Sequence, residues 1–151
     1  ENRVTGDTNI LIKKKIDSSF KEKLNVIFCI GETMKEKKLG KTFKVLKKQL
    51  LESLSRDQNL NKLLIAYEPI WSIGTNKVPD VVSLKKTINF IKREYKKNFK
   101  NQKNPIVLYG GSVNDKNIRI FSKVSEIDGF LIGGASQSSK KFIDIIKNYY
   151  K

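Results

Sequence analysis

Short apolar runs alternate along the chain with longer stretches in which apolar residues recur every three or four positions. Four runs of four or five residues are almost wholly apolar, at residues 26–30, 63–67, 106–109 and 129–132. Runs of this length and content are typical of parallel strands that are covered on both faces. We therefore expect about four parallel strands.

The spacing around these runs predicts about five helices, near residues 12–20, 43–54, 81–95, 118–121 and 142–149. Each stretch has the i, i+3, i+4 pattern that gives a helix one apolar face, and Asp80 is placed to cap the third. Alternating strands and helices indicate parallel βαβ units with right-handed crossovers. Half of an eight-stranded α/β barrel and a small open α/β sheet both fit, as a single domain over residues 1–151.

Every predicted strand is followed by a polar or glycine-rich loop, at residues 31–33, 68–77, 110–112 and 133–136. Functional sites in α/β proteins are built where parallel strands end. Four such loops at the same end share one mouth in a barrel. This regularity favours the barrel over the open sheet.

The composition is strongly basic, with 31 Lys and Arg against 15 Asp and Glu and a formal net charge of +16. Such a balance can indicate nucleic-acid binding, but the lysines are spread along the whole chain between apolar residues. We interpret them as solvated helix faces and expect no nucleic-acid partner, with a basic nucleic-acid-binding domain as the less favoured alternative. No apolar run approaches the roughly 18 residues of a membrane span, so we expect no membrane partner and a cytoplasmic location.

The chain has one cysteine, Cys29, and no histidine. An internal disulfide is therefore impossible, and Cys29 lies in an apolar run where a buried, inert thiol is expected. A zinc site would have very few ligands to use, so we expect no metal.

Glu68 follows the second apolar run and precedes Pro69, which places a carboxylate at the predicted mouth. From position alone, a solvated strand-end glutamate is an equally good interpretation. The next loop, residues 69–77, contains Trp71, two isoleucines and Gly74. A loop so apolar suits a lid that buries these side chains and expels water when it closes. A fixed loop packed on the core is the alternative.

Two glycine pairs, Gly110-Gly111 and Gly133-Gly134, follow the third and fourth runs just before helices. Glycine lets the backbone approach an anion closely, and helix N-termini offer free N–H groups. Two pairs in consecutive loops match the phosphate site that barrels build from their last two βα loops. Glycines that serve only the turns are the alternative.

Four segments together resemble the triosephosphate isomerase family, in the family's order and near its spacing: residues 29–32, 66–75, 109–113 and 133–136. The resemblance covers essentially the whole chain. It implies an eight-stranded barrel of roughly 250 residues, of which this chain would be the C-terminal half. About 100 residues would then precede Glu1, at which the chain begins without Met.

The resemblance also implies the chemistry, the interconversion of dihydroxyacetone phosphate and glyceraldehyde 3-phosphate in glycolysis and gluconeogenesis, without a cofactor or metal. Glu68 would move the proton, and Glu1 would be a supporting carboxylate. The substrate phosphate would rest on the amides of Gly74, Ser112, Gly133 and Gly134. The lid and its latch would involve Trp71, Thr75, Lys77, Tyr109 and Glu32, with Tyr109 and Ser112 latching the closed lid and Glu32 holding Trp71.

Several features depart from the family's pattern. The family's His, Lys and Asn would lie upstream of Glu1, so we expect the chain as given to be inactive or nearly so. Asn2, Asn76, Pro79 and Lys92 replace the family's usual residues, and a homodimer is expected only for the full-length protein. Another sugar-phosphate-binding barrel or a phosphate-binding module is the alternative function.

Overall fold

The computed structural model describes residues 6–100 and 103–150, with a four-stranded parallel sheet at the centre. The strands lie side by side in chain order. They are β1 (Val26–Ile30), β2 (Leu63–Tyr67), β3 (Val107–Tyr109) and β4 (Gly129–Phe130). The prediction of four parallel strands is confirmed, and the bounds of β1 and β2 are those expected.

The two shorter strands differ slightly from the prediction, because β3 begins one residue later and β4 ends two residues earlier. Hydrogen bonding between neighbouring strands nevertheless extends past these limits. The Ile65 N–H donates to the Ile106 carbonyl over 3.0 Å, and the Leu131 N–H donates to the Tyr109 carbonyl over 3.0 Å. The predicted apolar runs therefore match the hydrogen-bonded segments, which are longer than the regular strands.

Six α-helices and two 3₁₀ turns surround the described part of the sheet. The helices are α1 (Asn9–Lys21), α2 (Met34–Lys38), α3 (Thr42–Ser53), α4 (Val81–Asn98), α5 (Ile118–Phe121) and α6 (Ser139–Tyr149); the 3₁₀ turns are Leu60–Lys62 and Gly134–Gln137. Asp80 caps α4 as predicted, because its side chain accepts the Ser83 N–H over 2.9 Å. Helix α2 was not predicted.

One face of the sheet packs against the long helices. Register places Phe28, Ile65 and Val107 in one row across the strands, and Ile30, Tyr67 and Tyr109 in the next. These six side chains are buried in one cluster with apolar residues of α3 and α4, among them Leu46, Leu50, Leu84, Ile88 and Ile91. This cluster holds the strand ends in place.

The opposite face is less well covered at β1, which is an edge of the described sheet. Ile27 is 47% exposed, and Cys29 is partly exposed rather than buried as expected. Because alternate side chains of a strand point to opposite faces, Ile27 and Cys29 point away from the packed cluster that contains Phe28 and Ile30.

Lys92 on α4 contacts Asp128. The Lys92 Nζ lies 2.9 Å from Oδ1 and 2.7 Å from Oδ2 of Asp128. Asp128 Oδ2 also accepts the Val107 N–H over 2.7 Å. One carboxylate therefore links α4 to the start of β3, although a lysine cannot make the two parallel bonds of an arginine.

Candidate active site

The strand ladder continues into the loops that follow β2 and β3. The Glu68 N–H donates to the Ile30 carbonyl over 2.8 Å, and the Gly110 N–H donates to the Tyr67 carbonyl over 2.9 Å. Since all four strands are parallel, their following loops lie at one edge of the sheet. The backbone of Glu68 is thus fixed between the loops that follow β1 and β3.

The Glu68 side chain lies against the first glycine pair. A β-carbon placed on Gly110 would be 2.6 Å from both Cγ and Oε1 of Glu68, a separation that side chains do not tolerate. A β-carbon on Gly31 would collide with the Glu68 carbonyl. Absent side chains at these two positions therefore make room for Glu68 and leave its carboxylate next to the loop after β3.

Buried polar contacts hold the start of the loop at residues 69–77. Glu32 is only 1% exposed and accepts hydrogen bonds from Trp71 Nε1 over 2.8 Å and from the Tyr67 hydroxyl over 3.2 Å. Burial, and secondly the Glu32 charge, raise the pKa of Tyr67 above its ordinary value. The Lys37 Nζ lies 3.4 Å from the centre of the Trp71 ring, a cation–π contact.

The rest of this loop is tightly turned. The Thr75 hydroxyl donates to the Trp71 carbonyl over 2.9 Å, and the Lys77 N–H donates to Thr75 Oγ1 over 3.2 Å. Gly74 and Asn76 have φ angles of 67° and 59°, in the left-handed region. Asparagine enters that region more readily than most residues, so Asn76 suits this turn.

Ser72, Tyr109 and Ser112 join this loop to the one after β3. The Ser72 hydroxyl donates to the Lys77 carbonyl, lies 3.2 Å from the Tyr109 hydroxyl and accepts the Ser112 N–H over 3.2 Å. The Ser112 hydroxyl donates to the Ser72 carbonyl and accepts the Asn76 N–H over 3.1 Å. Burial raises the pKa of Tyr109 to about 12, so its hydroxyl is protonated near neutral pH.

The second glycine pair lies in the loop after β4. Gly134 begins the 3₁₀ turn, and the Gly133 carbonyl accepts hydrogen bonds from both the N–H and the hydroxyl of Ser136, each over 2.8 Å. A β-carbon at either glycine would have no neighbour within 4 Å. Open space therefore borders the backbone here, and helix α6 follows at Ser139.

The sequence patterns did not indicate that three further residues make contacts near the site. Ser72 was counted only as part of the loop, Lys37 lies on the unpredicted helix α2, and Gln49 was not considered. The Gln49 amide accepts the Gly31 N–H and donates to the Gly31 carbonyl, each over 2.9 Å. Gln49 falls on the apolar face of α3, and a glutamine at such a position is the feature of the sequence that could have indicated this contact. Glu1 and Asn2 lie outside the described residues.

Within residues 6–100 and 103–150, no group of three His, Cys, Asp or Glu side chains is placed to hold a metal ion. In the same part of the chain, no helix has the length and apolar content that crossing a bilayer requires.

Parallel strands in chain order, helical crossovers and site-like loops at one sheet edge define the chain as part of an α/β barrel. A family model for triosephosphate isomerase matches residues 1–149. The chain belongs to this family.

Relatives and a solved structure agree with this assignment. The triosephosphate isomerase of Dictyoglomus thermophilum is 43% identical over 148 residues, covering 95% of this chain and 59% of the relative. That of Thermodesulfovibrio yellowstonii is 40% identical over 138 residues, covering 91% and 56%. The crystal structure of triosephosphate isomerase from Bartonella henselae superposes with a TM-score of 0.86 and 29% identity, covering 98% of this chain and 60% of that one. The chain thus spans somewhat more than half the length of these relatives.

Proposed function

We propose that the chain supplies the base, the lid and most of the phosphate cradle of a triosephosphate isomerase, which interconverts dihydroxyacetone phosphate and glyceraldehyde 3-phosphate in glycolysis and gluconeogenesis. Membership of the family supports the reaction. The observation that carries the proposal is the position of the Glu68 side chain against Gly110. It brings a carboxylate next to the loop after β3, to which Ser112 of the proposed phosphate cradle belongs.

Glu68 acts as the base in this proposal. Its carboxylate takes the proton from the carbon beside the carbonyl, which leaves an enediolate. A proton then moves from one oxygen of the enediolate to the other, and the Glu68 carboxyl returns its proton to the neighbouring carbon. A base that serves both steps must reach two adjacent carbons without moving its backbone. The hydrogen bond from the Glu68 N–H to the Ile30 carbonyl, and the glycine at position 110, provide this fixed position with room for the side chain.

The loop at residues 69–77 serves as the lid, with Trp71, Thr75 and Lys77 in it and Glu32 and Tyr109 as its partners. Closing it over the substrate removes water that would otherwise compete for the base. Its contacts with Glu32 at one end and with Tyr109 and Ser112 at the other support this role. Pro79 lies just after the loop and restricts one backbone angle there.

The substrate phosphate would be bound by the amides of Gly74, Ser112, Gly133 and Gly134. The open space before Gly133 and Gly134 supports this assignment. The Ser112 amide donates to Ser72 Oγ over 3.2 Å, near the long end of the range for N–H donors. A phosphate oxygen, which carries charge, would share this N–H with Ser72 Oγ.

We further propose that the chain alone does not turn over substrate, because it contains no histidine to polarise the carbonyl. A homodimer, a cytoplasmic location and a supporting role for Glu1 are proposals drawn from the family. A single polypeptide that joins this chain to the amino-terminal part of the Dictyoglomus thermophilum relative tests the proposal that the chain alone is inactive. We expect isomerase activity from the joined protein and none from the chain by itself.

The role of Glu68 is tested in the same joined protein. We expect Glu68→Gln to lower kcat about 10²–10⁴-fold, the range for loss of a general base, while the affinity for glycerol phosphate is retained. Glu68→Asp, which keeps the charge but shortens the side chain, is the matched control and should keep more activity. Full activity in Glu68→Gln would rule out the assigned base and leave a phosphate-binding module as the better interpretation.

A further inference from the structure

The Ser72 side chain is a polar group in a fully buried position, with 0% of the residue exposed. A serine hydroxyl has one proton to donate and two lone pairs that accept. Its proton goes to the Lys77 carbonyl. Both lone pairs therefore remain for donors, and the Ser112 N–H uses one of them.

The contact between the Ser72 and Tyr109 hydroxyls can then have only one direction. The Ser72 proton is already used, so the Tyr109 hydroxyl must donate across the 3.2 Å that separates the oxygens. Tyr109 is 0% exposed and its raised pKa keeps this proton in place. All three hydrogen-bonding capacities of the Ser72 hydroxyl are satisfied, which is required of a buried polar group.

The surroundings of Ser72 permit this close approach. A β-carbon on Gly111 would collide with the Tyr109 hydroxyl and lie 2.6 Å from Ser72 Oγ. The second glycine of the first pair is therefore needed for packing between the two loops.

We propose that Ser72 is a positioning residue of the isomerase reaction, whose hydroxyl receives the Tyr109 and Ser112 donors and thereby holds the lid over the loop after β3. This inference rests on the proposed function. Ser72 lies two residues before Gly74, and its side chain bonds to Lys77, Tyr109 and Ser112 in the proposed lid and its latch. Its loss should therefore change how often the lid is in place, not the chemistry of Glu68.

The first test uses the chain as it stands and needs no activity. Trp71 is the only tryptophan and is 8% exposed, so acrylamide quenching of its fluorescence reports how well the lid is held. We expect Ser72→Ala and Tyr109→Phe each to raise the quenching constant about two- to threefold, and the double variant to raise it no further. Ser122→Ala removes a hydroxyl that bonds only locally, to the Arg119 carbonyl, and serves as the control.

The second test measures kinetics in the joined protein. We expect Tyr109→Phe to lower kcat about tenfold and Ser72→Ala, which also removes the bonds to Lys77 and Ser112, to lower it at least as much. The double variant should be no worse than Ser72→Ala, because the contact that Tyr109→Phe removes is already absent from it. Unchanged quenching in Ser72→Ala, or single effects that multiply in the double variant, would overturn the inference. Should Ser72→Ala fail to fold, Tyr109→Phe breaks the contact from the other side with its ring retained.

Failure of this inference differs from failure of the proposed function. The quenching measurements do not involve Glu68, and the Glu68→Gln assay does not involve Ser72. If Glu68→Gln kept full activity while Ser72 and Tyr109 proved coupled, the base would be wrong and the role of Ser72 in the lid would remain supported. If Glu68→Gln lost activity while Ser72→Ala left the quenching unchanged, the role of Ser72 would be wrong and the isomerase proposal would remain supported.

Discussion

Three glycines define the space around the Glu68 carboxylate and the lid, and each does so by a different contact. Gly31 admits the carbonyl of Glu68, Gly110 admits its side chain, and Gly111 admits the Tyr109 hydroxyl. None of the three has a positive φ angle, so the requirement is for space and not for backbone freedom. Gly133 and Gly134 have no such neighbours and border open space.

Replacing Gly31 by alanine should strongly destabilise the fold. The new methyl group meets backbone atoms of Glu68, which cannot rotate away, so we expect a loss of at least about 2 kcal/mol in the free energy of unfolding. Gly134→Ala is the matched control and should change it by less than about 0.5 kcal/mol. Urea unfolding followed by circular dichroism measures both, and equal effects would contradict the contact assigned to Gly31.

The elements differ in how well the sequence predicts them. The strands and the long helices follow from apolar periodicity, because their buried faces repeat over many residues. Helix α2 has five residues and none is buried, so it has no apolar period to detect. It depends on a local capping box, in which Thr33 and Glu36 satisfy each other's backbone N–H groups.

The site shows the same division between pattern and packing. Motifs indicated Glu68, the lid and the glycine pairs, because each motif is contiguous in sequence. The contacts of Ser72 with Tyr109 and of Lys37 with Trp71 join residues more than 30 positions apart. Apolar periodicity does not specify such pairs, because they form only when the strands bring the loops together.

Helix α4 offers a test at the scale of an element. The Ser83 N–H stabilises the charged form of Asp80 and lowers the pKa of its carboxyl below the ordinary value of 3.8. Since the folded pKa is lowered, this stabilisation is present above pH 3.8 and is lost as the pH falls through the lowered value. We expect Asp80→Ala to cost about 0.5–2 kcal/mol at pH 7.

Asp80→Asn is the control for this prediction. Asparagine caps a helix about as well as aspartate but carries no charge to titrate. The variant should keep most of the stability at pH 7, and its unfolding free energy should fall less between pH 5 and pH 3 than that of the parent chain. An identical pH profile for parent and Asp80→Asn would contradict the cap as the source of this dependence.

At the scale of the molecule, the main feature is the edge at β1. Among the described residues, β1 pairs only with β2. A cleft of about 350 Å³ runs along it, lined by residues that include Ile16, Ile27, Glu68 and Ile73. An apolar, unpaired strand edge promotes association between copies of a chain.

We therefore expect the chain to self-associate, and Ile27→Lys to reduce this association. A lysine on an edge strand opposes pairing with another strand because it brings a charge that must stay in water. Ile10→Lys adds the same charge on α1, where Ile10 is 68% exposed, and should leave the association unchanged. Light scattering after size-exclusion chromatography gives the masses; a monomeric parent chain, or equal effects of both variants, would refute the role of β1.

The contact between Gln49 and Gly31 limits what the β1 edge can accept. The side-chain amide of Gln49 imitates a peptide unit, because it occupies both the N–H and the carbonyl of Gly31. A side chain of α3 thereby makes the hydrogen bonds that the next residue of a neighbouring strand would otherwise make. Any polypeptide that adds alongside β1 must end its hydrogen bonding before Gly31, so the length of such an added strand is set from within α3.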